Sequence, residues 1–279
     1  AFEAFIEPGD VVLHTAPTFA MYPVYCRIYG ARAVTADYRP SASGPILSAG
    51  TLVEAISLNR PKLVCLPNPD SPTGTVFTAL ELHDIIRAAG TVDALVLIDE
   101  AYHPFHPETV VPWVRDYPHL MVTRSTGKAW GLAGLRIGYA VASPRIAALL
   151  HKVRPMYEVS TMAAAVFERL LDHADAMTAS VERLMAGKAV FLDAMAGLGF
   201  PVVAGHGNFA HVAFGAAAPR IHAALADIAT YKRDFAEPCL TGFSRFSATT
   251  PELFQTVIET IVRAAGGPGS AGSNMGESR

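Results

Sequence analysis

Lys128 stands in the run Arg124-Ser125-Thr126-Gly127-Lys128-Ala129-Trp130-Gly131-Leu132-Ala133-Gly134-Leu135-Arg136-Ile137-Gly138-Tyr139. An apolar stretch at 120–123 precedes it and another at 137–142 follows, and no carboxylate lies within ten residues on either side. Small, apolar flanks predict that the amine loses solvation, which favours its neutral form, a nucleophile toward carbonyls. The chemistry open to it is formation of a Schiff base. A solvated surface lysine is the alternative these residue types leave open.

A second group is Asp99, which closes the wholly apolar run Leu95-Val96-Leu97-Ile98 and is followed by Glu100-Ala101-Tyr102. An unpaired carboxylate at the end of a buried strand is costly, so Asp99 needs a partner: a ligand, a helix N-terminus that it caps, or a nearby cation. Competing chemistries are absent from the pattern. Ten histidines show no metal-binding helix spacing, and His103 and His106 share a loop interrupted by Pro104, which argues against a metal there. Neither a Gly-x-Ser-x-Gly elbow nor a phosphate-binding P-loop occurs.

The elements that must position these groups alternate. Short β-rich apolar runs at 11–15, 33–36, 63–66, 95–98, 120–123 and 137–142 are interleaved with helical patterns at 17–29, 50–58, 79–89 and 144–157. That alternation predicts an α/β fold with a mostly parallel sheet. Asp99, the Asn68 loop and Lys128 all follow strand ends, where open α/β sheets bind ligands. A long helix over about 161–198 then leads to a segment with short strands near 202 and 209–214 and helices at 219–229 and 251–264. The expected organisation is a large domain over 1–160, a connecting helix with a small domain over 161–265, and a disordered Gly/Ser-rich tail over 266–279.

Composition bounds the rest. The chain has 279 residues, 51% hydrophobic and 17% charged, with a net charge of −3, which permits a sizeable core and argues against a nucleic-acid surface. No apolar run reaches the roughly 18 residues that a membrane-spanning helix needs. Cys26, Cys65 and Cys239 are widely spaced and odd in number, which suits a reducing cytoplasm.

Taken with the lysine run, Glu7-Pro8-Gly9-Asp10, Pro17-Thr18-Phe19, Asn68-Pro69-Asp70-Ser71-Pro72-Thr73-Gly74, Asp99-Glu100-Ala101-Tyr102, Asn208-Phe209 and Ser244-Arg245-Phe246 fall in a recognisable order. Over about residues 1–255 the chain resembles the fold-type I pyridoxal-phosphate enzymes. Within them it resembles the class I/II aminotransferases, most closely the histidinol-phosphate aminotransferase-like branch. The resemblance implies a three-layer α/β/α fold with a mostly parallel sheet, plus a smaller C-terminal α/β domain. It implies that Lys128 binds pyridoxal 5′-phosphate covalently and then serves as general base and acid. Asp99 matches the partner of the pyridine nitrogen, Tyr102 and Ser71 the neighbours of the phenolic oxygen, and Phe19 the aromatic stacked on the ring. Ser125 and Arg136 match phosphate-binding positions, where a hydroxyl and a guanidinium give charge-assisted bonds. Arg245 matches the reader of the substrate carboxylate, and Asn208 a position near the substrate. Arg233 matches a second arginine, facing a substrate phosphate; Lys232 is its rival, and a solvated charge run is the plainer reading of that pair.

The implied reaction moves an amino group from an amino acid or amino-alcohol phosphate to a 2-oxo acid such as 2-oxoglutarate, in a homodimer. Two positions depart from the family pattern: Ser71 replaces an asparagine and Gly127 a common serine. They leave room for a paralogue with another substrate, and a threonine-phosphate-type decarboxylase shares these motifs. The chain opens at Ala1 in what reads as the end of a helix, without the family's N-terminal arm and its glycine turn at the cofactor phosphate. It is therefore expected to be a fragment or a gene product with a misassigned start, and a catalytically incompetent protein that keeps the fold is a third reading.

Overall fold

The computed structural model describes residues 1–266. The expected disordered tail lies, beyond Gly266, outside the described residues. The described chain divides into two compact units, one of residues 1–182, 205–208 and 237–240, the other of 183–204, 209–236 and the chain from 241 onward.

The first unit is built on a six-stranded sheet. In chain order its elements are α1 (Phe2–Phe5), β1 (Val11–Ala16), α2 (Met21–Ile28), β2 (Arg32–Asp37), α3 (Ala49–Asn59), β3 (Leu63–Pro67), α4 (Ala79–Gly90), β4 (Leu95–Asp99), β5 (Leu120–Ser125), β6 (Gly138–Ala142), α5 (Pro144–Lys152) and α6 (Thr161–Leu171). The strands run in the order β2-β1-β3-β4-β5-β6. All pair in parallel except β5 with β6, which is antiparallel. The mostly parallel sheet expected from the alternation is therefore present.

Its core explains why the strands read as unbroken apolar runs. Strand side chains alternate between faces. Leu13, Val64, Leu66, Val96, Ile98 and Val122 pack on one face with Leu52 and Ile56 of α3 and Leu82, Ile85 and Ile86 of α4. Val12, Leu63, Cys65, Leu95, Leu97 and Met121 pack on the other with Phe2, Tyr22, Cys26 and Ile146 of α1, α2 and α5. Both faces are covered, as parallel sheets require. Each fully buried Leu, Ile or Val contributes roughly 2 kcal/mol.

The chain leaves β1 toward β2 on one side, while β3 lies on the other, so β1 and β3 flank the point where the strand order reverses. A crevice opens there beyond the carboxyl ends of the strands.

The second unit has a three-stranded antiparallel sheet of β7 (Val202–Val203), β8 (Phe209–Ala213) and β9 (Phe243–Ser247), with α8 (Ala218–Ala224) and α9 (Pro251–Ala265). The helix α7 (Ala174–Gly197) brings Phe191 and Met195 into its core, where Phe191 stacks on Phe254 at 4.5 Å.

Several boundaries depart from expectation. The long helix over 161–198 is two helices, because the turn at Asp172 and His173 closes α6 with backbone bonds to Arg169 and Leu170. No glycine or proline marks that break in the sequence. The helix expected over 144–157 stops at Lys152, ahead of Pro155. The helix expected from 17 begins only at Met21, so Phe19 lies in a loop. The division between units falls inside α7 rather than at residue 160, with 205–208 and 237–240 folding into the first unit.

Candidate active site

Four strand ends supply the site. At the end of β4, Asp99 Oδ2 accepts from the Tyr22 hydroxyl at 3.1 Å, and Oδ1 from the Ala101 amide at 3.1 Å. Burial holds the Asp99 carboxyl above the usual carboxylate range; Tyr22, the Ala101 amide, Thr123 and the charge of Lys128 pull it the other way. Burial also pushes the Tyr22 phenol well up, helped by the Asp99 charge, so Tyr22 stays a donor. A carboxylate made reluctant to ionise by its surroundings, yet ringed by donors, suits a cation placed beside it.

After β5, the chain turns through Ser125-Thr126-Gly127-Lys128. Ser125 Oγ accepts from the Gly127 amide at 3.0 Å, and the Thr126 hydroxyl donates to the Ile137 carbonyl at 2.8 Å. A Cβ on Gly127 would lie 3.3 Å from both Ala133 Cα and Ser125 Oγ, tighter than side chains normally pack. A side chain at 127 would therefore need Ala133 or Ser125 to give way by a few tenths of an ångström. Lys128 Nζ lies 5.3 Å from the centre of the Tyr102 ring. Lys128 is solvent-exposed, which corrects the expected loss of solvation: its small neighbours leave the amine open instead of covering it.

Beyond β1 and β3, two loops face each other. Phe19 is 46% exposed and meets the Tyr22 ring edge-on at 5.7 Å, so it is not a core residue. The loop Asn68–Gly74 carries Ser71, and the Asn68 amide donates to the Asp99 carbonyl at 2.9 Å. The segment 205–208 joins the same loop through the His206 amide, 2.8 Å from the Gly74 carbonyl, and carries half-buried Asn208. Thus Lys128, Asp99, Tyr102 and Tyr22 come together, and Phe19 reaches Asp99 through Tyr22. Arg136 is exposed, in a left-handed conformation with φ of 57°, and its Nη1 donates to the Ala133 carbonyl at 3.2 Å.

Arg233 and Arg245 belong to the second unit. Arg245 on β9 is paired through its backbone with Lys232, and its guanidinium covers the Phe209 ring at 5.0 Å. Arg233 lies over Tyr231 at 5.6 Å. Among the described residues neither guanidinium is in a salt bridge, so each is available to an anion.

Against known families, residues 1–261 match the model for "Aminotransferase class I and II". The chain belongs to the class I and II aminotransferases. Among curated members of this aminotransferase family, it is 36% identical over 219 residues to histidinol-phosphate aminotransferase 1 of Cupriavidus pinatubonensis, covering 77% of this chain and 57% of that protein. It is 35% identical over 264 residues to histidinol-phosphate aminotransferase 2 of Bordetella bronchiseptica, covering 93% and 70%. A further relative, from Thermoanaerobacter pseudethanolicus, is 38% identical over 60% of this chain and 46% of its own length. The chain thus spans about half the length of several curated relatives it matches. The fold is shared with the crystal structure of histidinol-phosphate aminotransferase from Sinorhizobium meliloti in complex with pyridoxal-5′-phosphate, at a TM-score of 0.80 and 22% identity, over 95% of this chain and 72% of that one. Pyridoxal phosphate is the cofactor of the family.

Three residues in or beside this site were not singled out by the sequence. Tyr22 was hidden in an apparent helix, although its place three residues after Phe19 puts it on the same turn of chain. Asp70 sat inside a motif whose interest lay in Ser71. Arg124 is the third: it pairs with Glu100 at 2.8 Å across β4 and β5, and the fixed neighbour of Asp99 was legible only as part of a motif.

Proposed function

We propose that this chain is part of a pyridoxal-phosphate-dependent aminotransferase that moves an amino group between an amino acid or amino-alcohol phosphate, of the histidinol-phosphate kind, and a 2-oxo acid such as 2-oxoglutarate. The observation that carries the reading is the meeting of Asp99 and Lys128 at the ends of neighbouring parallel strands, with Asp99 in the field of the lysine. When bound, pyridoxal phosphate supplies a carbonyl for the lysine and a ring that withdraws electrons from the substrate Cα.

The chain's own residues supply the rest. Lys128 Nζ, exposed and backed by Tyr102, is the covalent tether. Its amine would also serve as general base for the substrate Cα proton and as the general acid that delivers a proton to the adjoining carbon of the bound cofactor. Asp99 would pair with the pyridine nitrogen and keep it protonated, and that positive charge would relieve the cost that burial imposes on this carboxylate. Tyr102 and Ser71 donate to the phenolic oxygen, and Phe19, exposed in its loop, covers the ring. Ser125 and Arg136 bind the phosphate. Arg245 orients the substrate carboxylate, Asn208 lies near the substrate, and Arg233 takes the anionic end of a phosphorylated donor.

The same reading takes the unit with the parallel sheet as the cofactor-binding part. It places the enzyme in the cytoplasm, as a homodimer. Three cysteines that are all free support the first assignment, and a run of exposed apolar side chains, Met156, Tyr157, Val159, Met162 and Val166, supports the second. No helix among the described residues is long and apolar enough to cross a membrane.

The test is covalent capture. The purified chain is mixed with pyridoxal phosphate, reduced with borohydride and digested. A pyridoxyl adduct on the Lys128 peptide, absent in Lys128→Ala, is expected, and no adduct on that peptide refutes the reading. Amino transfer from histidinol phosphate to 2-oxoglutarate then tests the substrate class.

A further inference from the structure

The side chain of Asp70 has no exposure, yet among the described residues no positive charge is in a salt bridge with it. Its ties are hydrogen bonds instead. Oδ2 accepts from the Thr15 hydroxyl at 2.6 Å; Oδ1 accepts from the Thr18 hydroxyl at 3.2 Å and from the Ser71 amide at 2.7 Å. The backbone is occupied as well: the Asp70 amide donates to Thr75 and its carbonyl accepts from Gly74, both at 2.8 Å. One residue therefore closes its own loop and reaches across to the end of β1 and the loop that follows it.

The crossing occurs where the strand order reverses. Thr15 is the penultimate residue of β1, Thr18 precedes Phe19, and Ser71 follows Asp70 beyond β3, so the carboxylate ties together the chain ends leaving β1 and β3, where such sheets bind ligands. Phe19 is 46% exposed, so burial does little to fix its position, and its ring meets that of Tyr22 edge to face. Ser71 is likewise only half-buried, and its amide bond to Asp70 sets the direction in which its side chain leaves the chain. Burying a carboxylate without a cation is expensive, and burial raises this carboxyl to about 7 against the four groups that bond to it. Such a residue has little use as a generic core group, where an apolar side chain would pack at no such penalty.

We infer that Asp70 is a positioning residue that locks the Thr18-Phe19 loop and Ser71 into one fixed arrangement. The inference rests on the proposed function only in taking Phe19 and Ser71 as groups that meet the cofactor ring. Asparagine at this position keeps the arrangement: its carbonyl oxygen accepts from Thr18 and Ser71, and its amide donates to the Thr15 oxygen. Alanine removes these bonds together with the one between Tyr38 and the carboxyl.

Hydrogen–deuterium exchange on the full chain without cofactor tests this directly. Asp70→Ala should speed amide exchange in peptides 15–22 and 68–75 by about tenfold or more, the equivalent of one lost charge-assisted bond, with little change in 95–99. Asp70→Asn should stay within about threefold of the wild type. Thr18→Val, which removes a single bond, should loosen 15–22 in a folded protein and carries the test if the alanine variant does not fold. In the presence of pyridoxal phosphate, affinity should fall about tenfold in Asp70→Ala and recover in Asp70→Asn. Unchanged exchange in the two loops, or loosening spread evenly over the sheet, overturns the inference. So does an asparagine variant as damaged as the alanine one. A wild type that takes up no pyridoxal phosphate instead refutes the proposed function, while the exchange result continues to decide the role of Asp70.

Discussion

Replacing Glu100 with glutamine tests how firmly the ends of β4 and β5 are joined. Glu100 is 2% exposed and gathers four donors: the Thr109 hydroxyl at 2.7 Å, the Val110 amide at 2.8 Å, and Arg124 Nε and Nη2 at 3.0 and 2.8 Å. Glutamine keeps the shape but removes the charge and turns an NH₂ toward one set of donors. Breaking a buried ion pair on one side costs about 3–5 kcal/mol, because the surviving charge is stranded. The Arg124 side chain keeps 17% exposure, which lets water reach it, so the lower end, about 3 kcal/mol, is expected. Arg124→Met should cost a similar amount. The double variant should lose only about 1–2 kcal/mol, giving a coupling of several kcal/mol, since no charge remains unpaired. Urea unfolding followed by tryptophan fluorescence isolates the relevant unit, because Trp113 and Trp130 both lie in the one with the parallel sheet. Single variants within about 0.5 kcal/mol of wild type, or losses that simply add, would show that the pair is solvated and does not brace the strands.

Three other outcomes follow from the geometry. Tyr22→Phe removes a donor to a carboxylate and should raise the Asp99 pKa further, weakening pyridoxal-phosphate binding by about tenfold by titration; unchanged affinity would mean that Tyr22 only packs. Asp70 carries its pKa from 3.8 to about 7, so between those values the folded chain keeps a proton that the unfolded chain has lost. Stability should therefore fall as pH rises through that window and level off above it, by roughly 4 kcal/mol at most. Asp70→Asn should flatten the slope in urea titrations across pH, and an unaltered slope would assign it to other groups. Met162, 76% exposed among other apolar side chains, should tolerate aspartate as a folded chain but shift a homodimer toward monomer in light scattering; an unshifted mass would place the interface elsewhere.

The sheet was legible because both of its faces are buried, which forces unbroken apolar runs of the kind seen at Leu63–Pro67 and Leu95–Asp99. Lys128 and Asp99 could be found because each breaks such a pattern at a strand end. The exposure of Lys128 could not, since small apolar neighbours look the same whether they cover a group or leave it open. The break between α6 and α7 carries no glycine or proline, so a continuous helical period ran through it. Asp70 was missed for a different reason: its partners Thr15 and Thr18 are more than fifty residues away, and only the strand order brings them beside it. Hydrogen bonds between distant loops leave no local period to read.

The reversal of direction between β5 and β6 also bears on how such a site can change. Ser125 and Gly138 face each other across the pair, so both ends of the Lys128 loop leave the sheet about 5 Å apart. A Cβ on Gly138 would press on the Arg124 carbonyl at 2.9 Å, which keeps that exit closed to other residues. A parallel connection would have routed the chain through a helix across one face of the sheet, tying the loop to the core. Here Lys128 sits on a loop whose two ends meet at one point on the sheet, and Trp130 rests the loop on Phe167 of α6. With both ends pinned at Ser125 and Gly138, a change of length or sequence between them need not shift the strands that carry Asp99 and Glu100.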